Sequence, residues 1–424
     1  MAGKTGRLLL IFMAAAIASW AEDEKPGEME IDPPLKFALD SLVRPEAAGN
    51  FNLGSFSFAP GKDEERILLR LRPSVTARAS EALTARVESQ WYAFRDGKDA
   101  STSSLYQGCV EGSLQGISLK AGRQEFAYGS TFLLGADTFY DGLSFDSAKV
   151  SIEPSEEFSV DLLGGQYARI WSGGIEGRLQ GVYATWAPSE AFSAELYNFR
   201  DTGDAGNLHP KGDHERTYSA GARLAGKAAP RLSYELEPVI QYGKKNRDGM
   251  SHDDIRAWGG HADLAWDAAL GRRPCRLFLA YAFGSGDGNA GDREFREFHN
   301  PNNDTPLIGD MNVIGDLSGL TLVDPAGSDV RASGLKVLTA GGGIDLTERF
   351  NLSLDAHHFQ AHTVPAGISR DVGIETNLLL TFKVREGAAL TLSVNRFFTG
   401  EFFRDAARRD KDIHYVYAQL QVAF

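Results

Sequence analysis

The sequence predicts an all-β protein, a transmembrane up-and-down antiparallel β-barrel of about 18 strands. Three observations carry that expectation: apolar and polar residues alternate with a period of 2 along most of the chain, short and long connections between the alternating segments take turns, and an export signal stands at the N-terminus with no spanning helix after it. At 42% hydrophobic and 24% charged residues, the 424-residue chain is too polar for a helical membrane protein. Its longest apolar run, residues 8–21, falls short of the ~20 residues that a spanning helix needs.

The N-terminus is read first. Lys4 and Arg7 form a basic region, residues 8–17 an apolar one, and Ser19 and Ala21 supply the small side chains that a signal peptidase requires, so residues 1–21 are expected to be a cleaved signal peptide. Glu22, Asp23 and Glu24 follow at once, which fits poorly with a buried helix. Residues 22–49 are expected to be a flexible periplasmic segment, because 22–34 is acidic and proline-rich with little to bury. The formal charge of −13 becomes two units more negative once Lys4 and Arg7 are removed, and an acidic export product lacks the basic face that nucleic-acid binding needs. Cys109 and Cys275, the only cysteines, do not make a disulfide framework, and no role is assigned to them.

The barrel is expected over residues 50–424. Leu69, Leu71, Val75, Ala77 and Ala79 interleave with Arg70, Arg72, Ser74, Thr76 and Arg78, which sends the two sets to opposite faces of a strand. Similar alternation gives strands near 50–59, 66–80, 82–96, 103–113, 116–125, 142–152, 156–168, 175–187, 190–200, 214–226, 231–243, 254–268, 273–284, 330–346, 349–361, 370–385, 388–399 and 412–424. Connections such as Glu81, Leu114 with Gln115, or Glu386 with Gly387 are tight, whereas 60–65, 126–141, 169–174, 201–213, 285–329 and 400–411 are longer and polar. Tight turns on one rim and long loops on the other, with an even strand number, characterise a transmembrane barrel whose termini share the short-turn side. A soluble sandwich or propeller has no reason for this regularity. The polar face is expected inside.

The last strand places His414, Val416, Ala418, Leu420, Val422 and Phe424 on one face. An aromatic C-terminus after alternating apolar residues resembles the signal that outer-membrane barrels present to their assembly machinery, which makes that machinery an expected partner through Phe424. Trp91, Tyr92, Tyr183, Trp186, Tyr234, Tyr242, Trp258, Trp266 and Tyr281 are candidates for interfacial girdles, with membrane lipid outside them.

The segment Gly122, Arg123, Gln124, Glu125, Phe126, Ala127, Tyr128, Gly129, followed by Phe145 and Asp146, resembles the GRQE and later FD signature of the alginate export family. Tyr281 with Ser285, Gly286 and Asp287, and the closing stretch Phe397 to Gly400 with Tyr415 to Tyr417, are similar to weaker motifs of that family. The likeness runs from about residue 50 to 424. It implies an eighteen-stranded monomeric barrel of the Gram-negative outer membrane through which a polar solute diffuses, in the best-known case an anionic polysaccharide. It does not fix the solute, because such barrels diversify through the lining of the lumen.

Solute selection is therefore sought among inward side chains. Parity makes Arg70, Arg72, Arg78, Arg86 and Lys120 inward, joined by Arg178 and Arg223, and such a row of cations suits carboxylates or phosphates. The alternative is that these cations pair with inward acids, of which parity offers Glu88, Asp161, Glu176, Glu195, Glu235, Glu237, Asp263, Asp345, Asp355 and Glu375. A basic wall facing an acidic one creates a transverse field. Arg123 falls out of step with the inward set and is expected to brace the loop after it, through Glu125 or a carbonyl. The connection 285–329 is acidic and long enough to be a lid or constriction. Its Ser285 to Asn289 start is rich in oxygen but lacks EF-hand spacing, and no metal or cofactor is expected. His357 and His358 face opposite sides of a strand and do not share a metal. No G-x-S-x-G elbow is present, so a passive channel rather than an enzyme is expected. The competing readings are a barrel-anchored enzyme, with serine, histidine and acid meeting near one rim, and an adhesin with a plugged lumen.

Overall fold

The computed structural model describes residues 35–95, 100–168, 177–202, 216–246, 251–289, 291–311 and 313–424. The signal peptide, residues 22–34, Glu176 and the 169–174 connection lie outside the described residues.

The strands are β1 (Leu35–Asn52), β2 (Ser57–Ser80), β3 (Leu83–Arg95), β4 (Ala100–Leu114), β5 (Ile117–Gln124), β6 (Phe145–Ser155), β7 (Phe158–Tyr167), β8 (Arg178–Ser189), β9 (Phe192–Asp201), β10 (Arg216–Ala229), β11 (Leu232–Asn246), β12 (His252–Leu270), β13 (Arg273–Gly284), β14 (Glu294–Phe295), β15 (Gly319–Val323), β16 (Asp329–Asp345), β17 (Phe350–Thr363), β18 (Asp371–Arg385), β19 (Ala388–Thr399) and β20 (Ile413–Ala423). A short helix, α1 (Glu401–Ala407), lies between the last two. β14 and β15 belong to the long connection after β13, and the other eighteen form one closed antiparallel barrel in which each strand pairs with its successor. β1 closes it against β20, from Asp40 opposite Ala423 to Gly49 opposite His414.

The count of eighteen is met, but its first member is displaced. Residues 35–49, expected to be flexible, are the body of β1, and the connection expected at 60–65 is continuous strand within β2. The segment hides its strand character because its inward face carries charge: Arg44 and Glu46 are buried in the lumen, with Arg44 Nε 2.8 Å from Glu46 Oε1 and Arg66 Nε 2.7 Å from Glu46 Oε2. Pro45 adds to the disguise. The pairing of β1 with β20 is interrupted between Val43 and Glu46, where a proline has no N–H to give.

Outward positions carry Leu196, Ile240, Leu264, Leu354 and Val394, which a soluble protein would bury and which here face lipid. Trp91, Trp186, Tyr234, Tyr242, Trp258, Trp266 and Tyr281 share this outer face. Tyr92 and Tyr183 do not: both are buried inside the barrel, so they belong to no girdle. On β20 the face with Val416 and Phe424 points outward, and Leu39 N donates to Phe424 O at 2.8 Å.

Candidate functional site

The lumen has two unlike halves. On the long-loop side, the connections 125–144 and 285–328 turn inward and pack on one another and on the wall. Phe126, Phe132, Leu134, Phe298, Leu307 and Met311 from these loops join Tyr197, Val337 and Phe359 of the wall in one buried cluster, with Phe402 and Phe403 of α1. Gly135 N donates to Asn302 O at 2.8 Å, Asp304 N to Thr131 O at 3.0 Å, and Asn300 Nδ2 to Phe132 O at 3.0 Å, which ties loop to loop. An apolar cluster thus fills part of the interior in this half, set among buried charged groups, contrary to the expectation of a polar lumen throughout. Ten or so apolar side chains in loops cannot stay in water at the mouth, and the barrel offers the place to bury them.

The predicted row of cations divides along the same line. Arg70 Nη1 donates to Thr138 O at 2.6 Å and Tyr140 O at 2.8 Å; Arg72 Nη2 donates to Asp141 O at 2.9 Å, and its Nε to Gln90 Oε1 at 2.6 Å. Arg44 continues the row, donating to Phe139 O at 2.6 Å with its guanidinium 3.6 Å from the Phe139 ring centre. Arg70 and Arg72 are 3% and 6% exposed. They grip the backbone of residues 138–141 and are closed to solute.

Nearer the short turns the pattern changes. Arg78 is exposed, Arg86 is half-buried with Nη2 2.7 Å from Glu88 Oε2, and Lys120, opposite Lys149 in the ladder, makes no ion pair among the described residues. Lys149 Nζ reaches Asp161 Oδ2 at 3.2 Å. Arg223 is inward as expected but clamped, 2.6 Å from Glu195 Oε1 and bidentate to Glu235 at 2.8 and 2.9 Å. Arg178 corrects the parity reading: its neighbours Leu179 and Tyr183 are the inward ones, and Arg178 is exposed on the outer face. The glycine at 181, backed by the Phe199 ring, fixes that register.

The motif residues build the root of the inward loop. Arg123 faces outward and binds Asp146 with both arms, at 2.7 and 2.8 Å, while Nη1 donates to Leu105 O at 2.8 Å. Rather than bracing the loop after it through Glu125 or a carbonyl, as expected, Arg123 ties β5 to the flanking strands β4 and β6. Gln124 is buried and donates to Lys120 O and Ser147 O. Glu125 accepts from Tyr106 and Gln107, and Tyr128 OH donates to Asp161 Oδ2 at 2.7 Å. Gly122, at φ +118°, lies where a Cβ would sit 2.2 Å from Gly108 O. Gly129, at φ +56°, lets the loop tip pass within contact of Arg223 and Tyr183.

The tip brings together residues that sequence spacing does not connect. Ser130 Oγ is 3.0 Å from His261 Nε2, and His261 Nδ1 is 3.0 Å from Asp263 Oδ2, the order of a nucleophile, a base and an acid. The environment disarms it. Glu237 Oε2 lies 3.0 Å from Ser130 Oγ and 3.3 Å from His261 Nε2, with Glu235 Oε1 at 3.7 Å, so the Ser130 hydroxyl has a carboxylate to donate to in place of the ring. Phe132 covers the ring at 4.7 Å. These groups pin the loop. Glu235, His261 and Asp263 also bring donor atoms within 4.8 Å of one another, but Arg223 occupies both oxygens of Glu235.

Residues that parity named without a role anchor the second loop. Glu375 Oε1 accepts from Asp310 N at 2.6 Å and Met311 N at 3.1 Å, and Thr339 Oγ1 lies 2.8 Å from His357 Nδ1, whose other nitrogen meets Asp355 Oδ1 at 2.8 Å. His358 faces outward, as expected. At the long-loop mouth His299 sits between Glu297 at 3.0 Å and Asp316 at 3.5 Å, with Arg331 bidentate to Glu297 at 2.7 and 3.0 Å. Burial opposes the charge on His299, but bonds from Asp316 and Glu297 outweigh it and lift the ring to about 9. Glu297, despite burial, is held well below the usual carboxylate range by His299 and Arg331. Burial and the nearby Asp355 carboxylate raise Asp310 to about 6. The Ser285 to Asn289 start is folded on itself and on the wall: Ser285 Oγ donates to Arg296 O, and Asp287 Oδ1 accepts from Asn289 N.

A closed barrel with a lipid-facing apolar band and a charged interior narrowed by inward loops defines an outer-membrane channel. The chain belongs to the alginate export family, whose model, described as alginate export, matches residues 34–418. Among solved structures it is similar to Pseudomonas aeruginosa OccK11 (12% identity, 92% of this chain and 96% of that one, TM-score 0.60), OpdL (10%, 92% and 98%, 0.61) and OprD (13%, 92% and 94%, 0.58), likenesses that show the fold alone. Curated proteins yield no match. The protein is a β-barrel of the Gram-negative outer membrane.

Proposed function

We propose that the protein is a passive diffusion channel for a polar, anionic solute of the carboxylated sugar or oligosaccharide class, working as a monomer and without covalent chemistry. The observation that carries this reading is the cluster of lumen-facing cations Arg78, Arg86, Lys120 and Lys149 on neighbouring strands, in the half of the lumen that the loops leave unfilled. Guanidinium and ammonium groups there meet a carboxylate without first having to release a loop. Acids on β11 to β17, among them Glu235, Asp263 and Asp355, line the opposite side and set a field across the path. Solute moves down its gradient, guided by side chains.

The test is single-channel conductance and reversal potential of the refolded mature protein in planar bilayers under a salt gradient, followed by addition of uronate oligomers. Stable steps with anion preference and oligomer block are expected. Steps without anion preference overturn the solute class. A correctly folded barrel that never conducts overturns the channel and favours an adhesin.

A further inference from the structure

The outer wall carries a feature that transport through the lumen does not use. On five successive strands a cation stands on the outer face at the long-loop end: Arg178 on β8, Arg200 on β9, Arg216 on β10, Lys244 on β11 and Arg256 on β12. Their neighbours Leu179, Phe199, Gln241 and Ile255 are buried inside, which fixes the cations outside. The ladders hold them at one level. Arg216 is directly opposite Lys244, Arg200 is opposite Gln180 and Tyr218, and Arg256 is opposite Tyr242.

That level is set by aromatics. Tyr218 and Tyr242 stack with ring centres 5.1 Å apart, and Trp258 shares their face on the next strand. On β11 the outward residues between Tyr234 and Tyr242 span eight steps of ~3.3 Å, or about 26 Å along the strand, which at a barrel tilt of about 40° is roughly 20 Å of height, most of an apolar band between two girdles. Arg216, Lys244 and Arg256 lie two residues beyond Tyr218, Tyr242 and Trp258 on their own strands, and Arg200 lies level with Tyr218, which puts the row at the upper girdle and the headgroups of the outer leaflet.

The cations also outnumber their acids. Lys244 pairs with Asp254, and Arg256 Nη1 is 2.8 Å from Glu294 Oε1. Among the described residues, Arg178, Arg200 and Arg216 form no ion pair, and Arg200 Nη1 has only the Gln180 amide oxygen, at 3.1 Å. Elsewhere on the outer face the comparable arginines are neutralised: Arg123 by Asp146 at 2.7 Å and Arg396 by Asp412 at 2.6 Å.

We propose that the outer face of β8 to β12 is a docking surface for the phosphate groups of a phosphorylated glycolipid headgroup in the outer leaflet. Guanidinium forks donate to phosphate oxygens two at a time, and a row of them at headgroup height matches a ligand whose acyl chains lie along the apolar band below. The indoles and phenols of the girdle seat the boundary between sugar and chain.

The test uses the folded full-length mature protein in detergent. Native mass spectrometry measures retention of bisphosphorylated lipid A, of the same lipid with its phosphates removed, and of inorganic phosphate, for the wild type, R178Q/R200Q/R216Q, R178K/R200K/R216K and the control R396Q. Heat-modifiable electrophoretic mobility confirms that each is folded. The wild type and R396Q are expected to hold the phosphorylated lipid on the order of tenfold more tightly than the triple glutamine variant, with the lysine variant in between. Equal retention of the dephosphorylated lipid, or of the phosphorylated lipid by the glutamine variant, overturns the proposal. Binding of inorganic phosphate as strong as that of the lipid overturns the headgroup as its source.

Discussion

Arg70, Arg72 and Arg78 stand on one face of one strand, yet the first two and the third do different work. Arg70 and Arg72 are buried against the carbonyls of Thr138, Tyr140 and Asp141, whereas Arg78, six residues from Arg72 and about 20 Å along the strand, is exposed toward the short turns. The same contrast separates the two halves of the lumen. A charged side chain within reach of an inward loop becomes a fastener, because a buried guanidinium must be satisfied and loop carbonyls satisfy it. One beyond that reach stays accessible to whatever passes.

The strongest way to break this contrast is R70S/R72S. Thr138 O and Tyr140 O lose their Arg70 donor, while Asp141 O keeps only Gln90 Nε2, at about 1–3 kcal/mol for each buried group left unsatisfied. Loop 125–144 is expected to leave the lumen, with a severalfold rise in single-channel conductance and new protease cleavage within 130–141. Unchanged conductance and cleavage would return these arginines to the solute path. R86S/K120S sharpens the same contrast from the other side: conductance is expected to stay near that of the wild type while the reversal potential moves toward cation preference, by tens of millivolts in a tenfold salt gradient. If conductance rises as in R70S/R72S, the lower cations are fasteners too.

The long-loop clamp gives a smaller effect that depends on pH. His299 is raised in the folded protein to about 9, above its ordinary 6.5, so the stability it contributes is fully present below pH 6.5 and is lost as pH rises through 9. Protease sensitivity of residues 285–328 is expected to rise between pH 7.5 and 10. H299Q should flatten that profile, and a wild-type profile that is already flat would remove His299 from the clamp.

The least disruptive change is S130A. It deletes one hydroxyl from a tip also held by Thr131, Asn300 and the apolar cluster, and is expected to cost about 1 kcal/mol, read as a small rise in current noise. A serine-directed fluorophosphonate is expected to leave the wild type unlabelled, and labelling that S130A abolishes would make Ser130 a nucleophile.

Much of the barrel was legible because alternation is a local property: a period of two along 66–80 or 349–361 identifies a strand and its faces without reference to anything distant. β1 was missed where the alternation was masked by an inward Arg44 and Glu46 around a proline. Arg178 was assigned to the wrong face because its strand begins beside residues too irregular to set the parity, and only Leu179 and Tyr183 inside the barrel decide it. The loops were legible in length but not in destination. Phe298, Leu307, Ile308, Met311 and Leu317 signalled a buried segment in 285–329, a signal overshadowed by the count of its acids.

The sequence by itself determined the barrel, its polarity of short turns and long loops, most of its lipid-facing residues and most of the charges available to the lumen, since all of these follow from spacing within a few residues. Tertiary structure decided which charges are spent. Arg70 meets Thr138 across 68 residues, Ser130 meets His261 across 131, and Asp310 meets Glu375 across 65. Such meetings depend on how the closed wall and the inward loops share one interior, where each buried polar group takes the partner that the enclosed space brings within hydrogen-bonding distance.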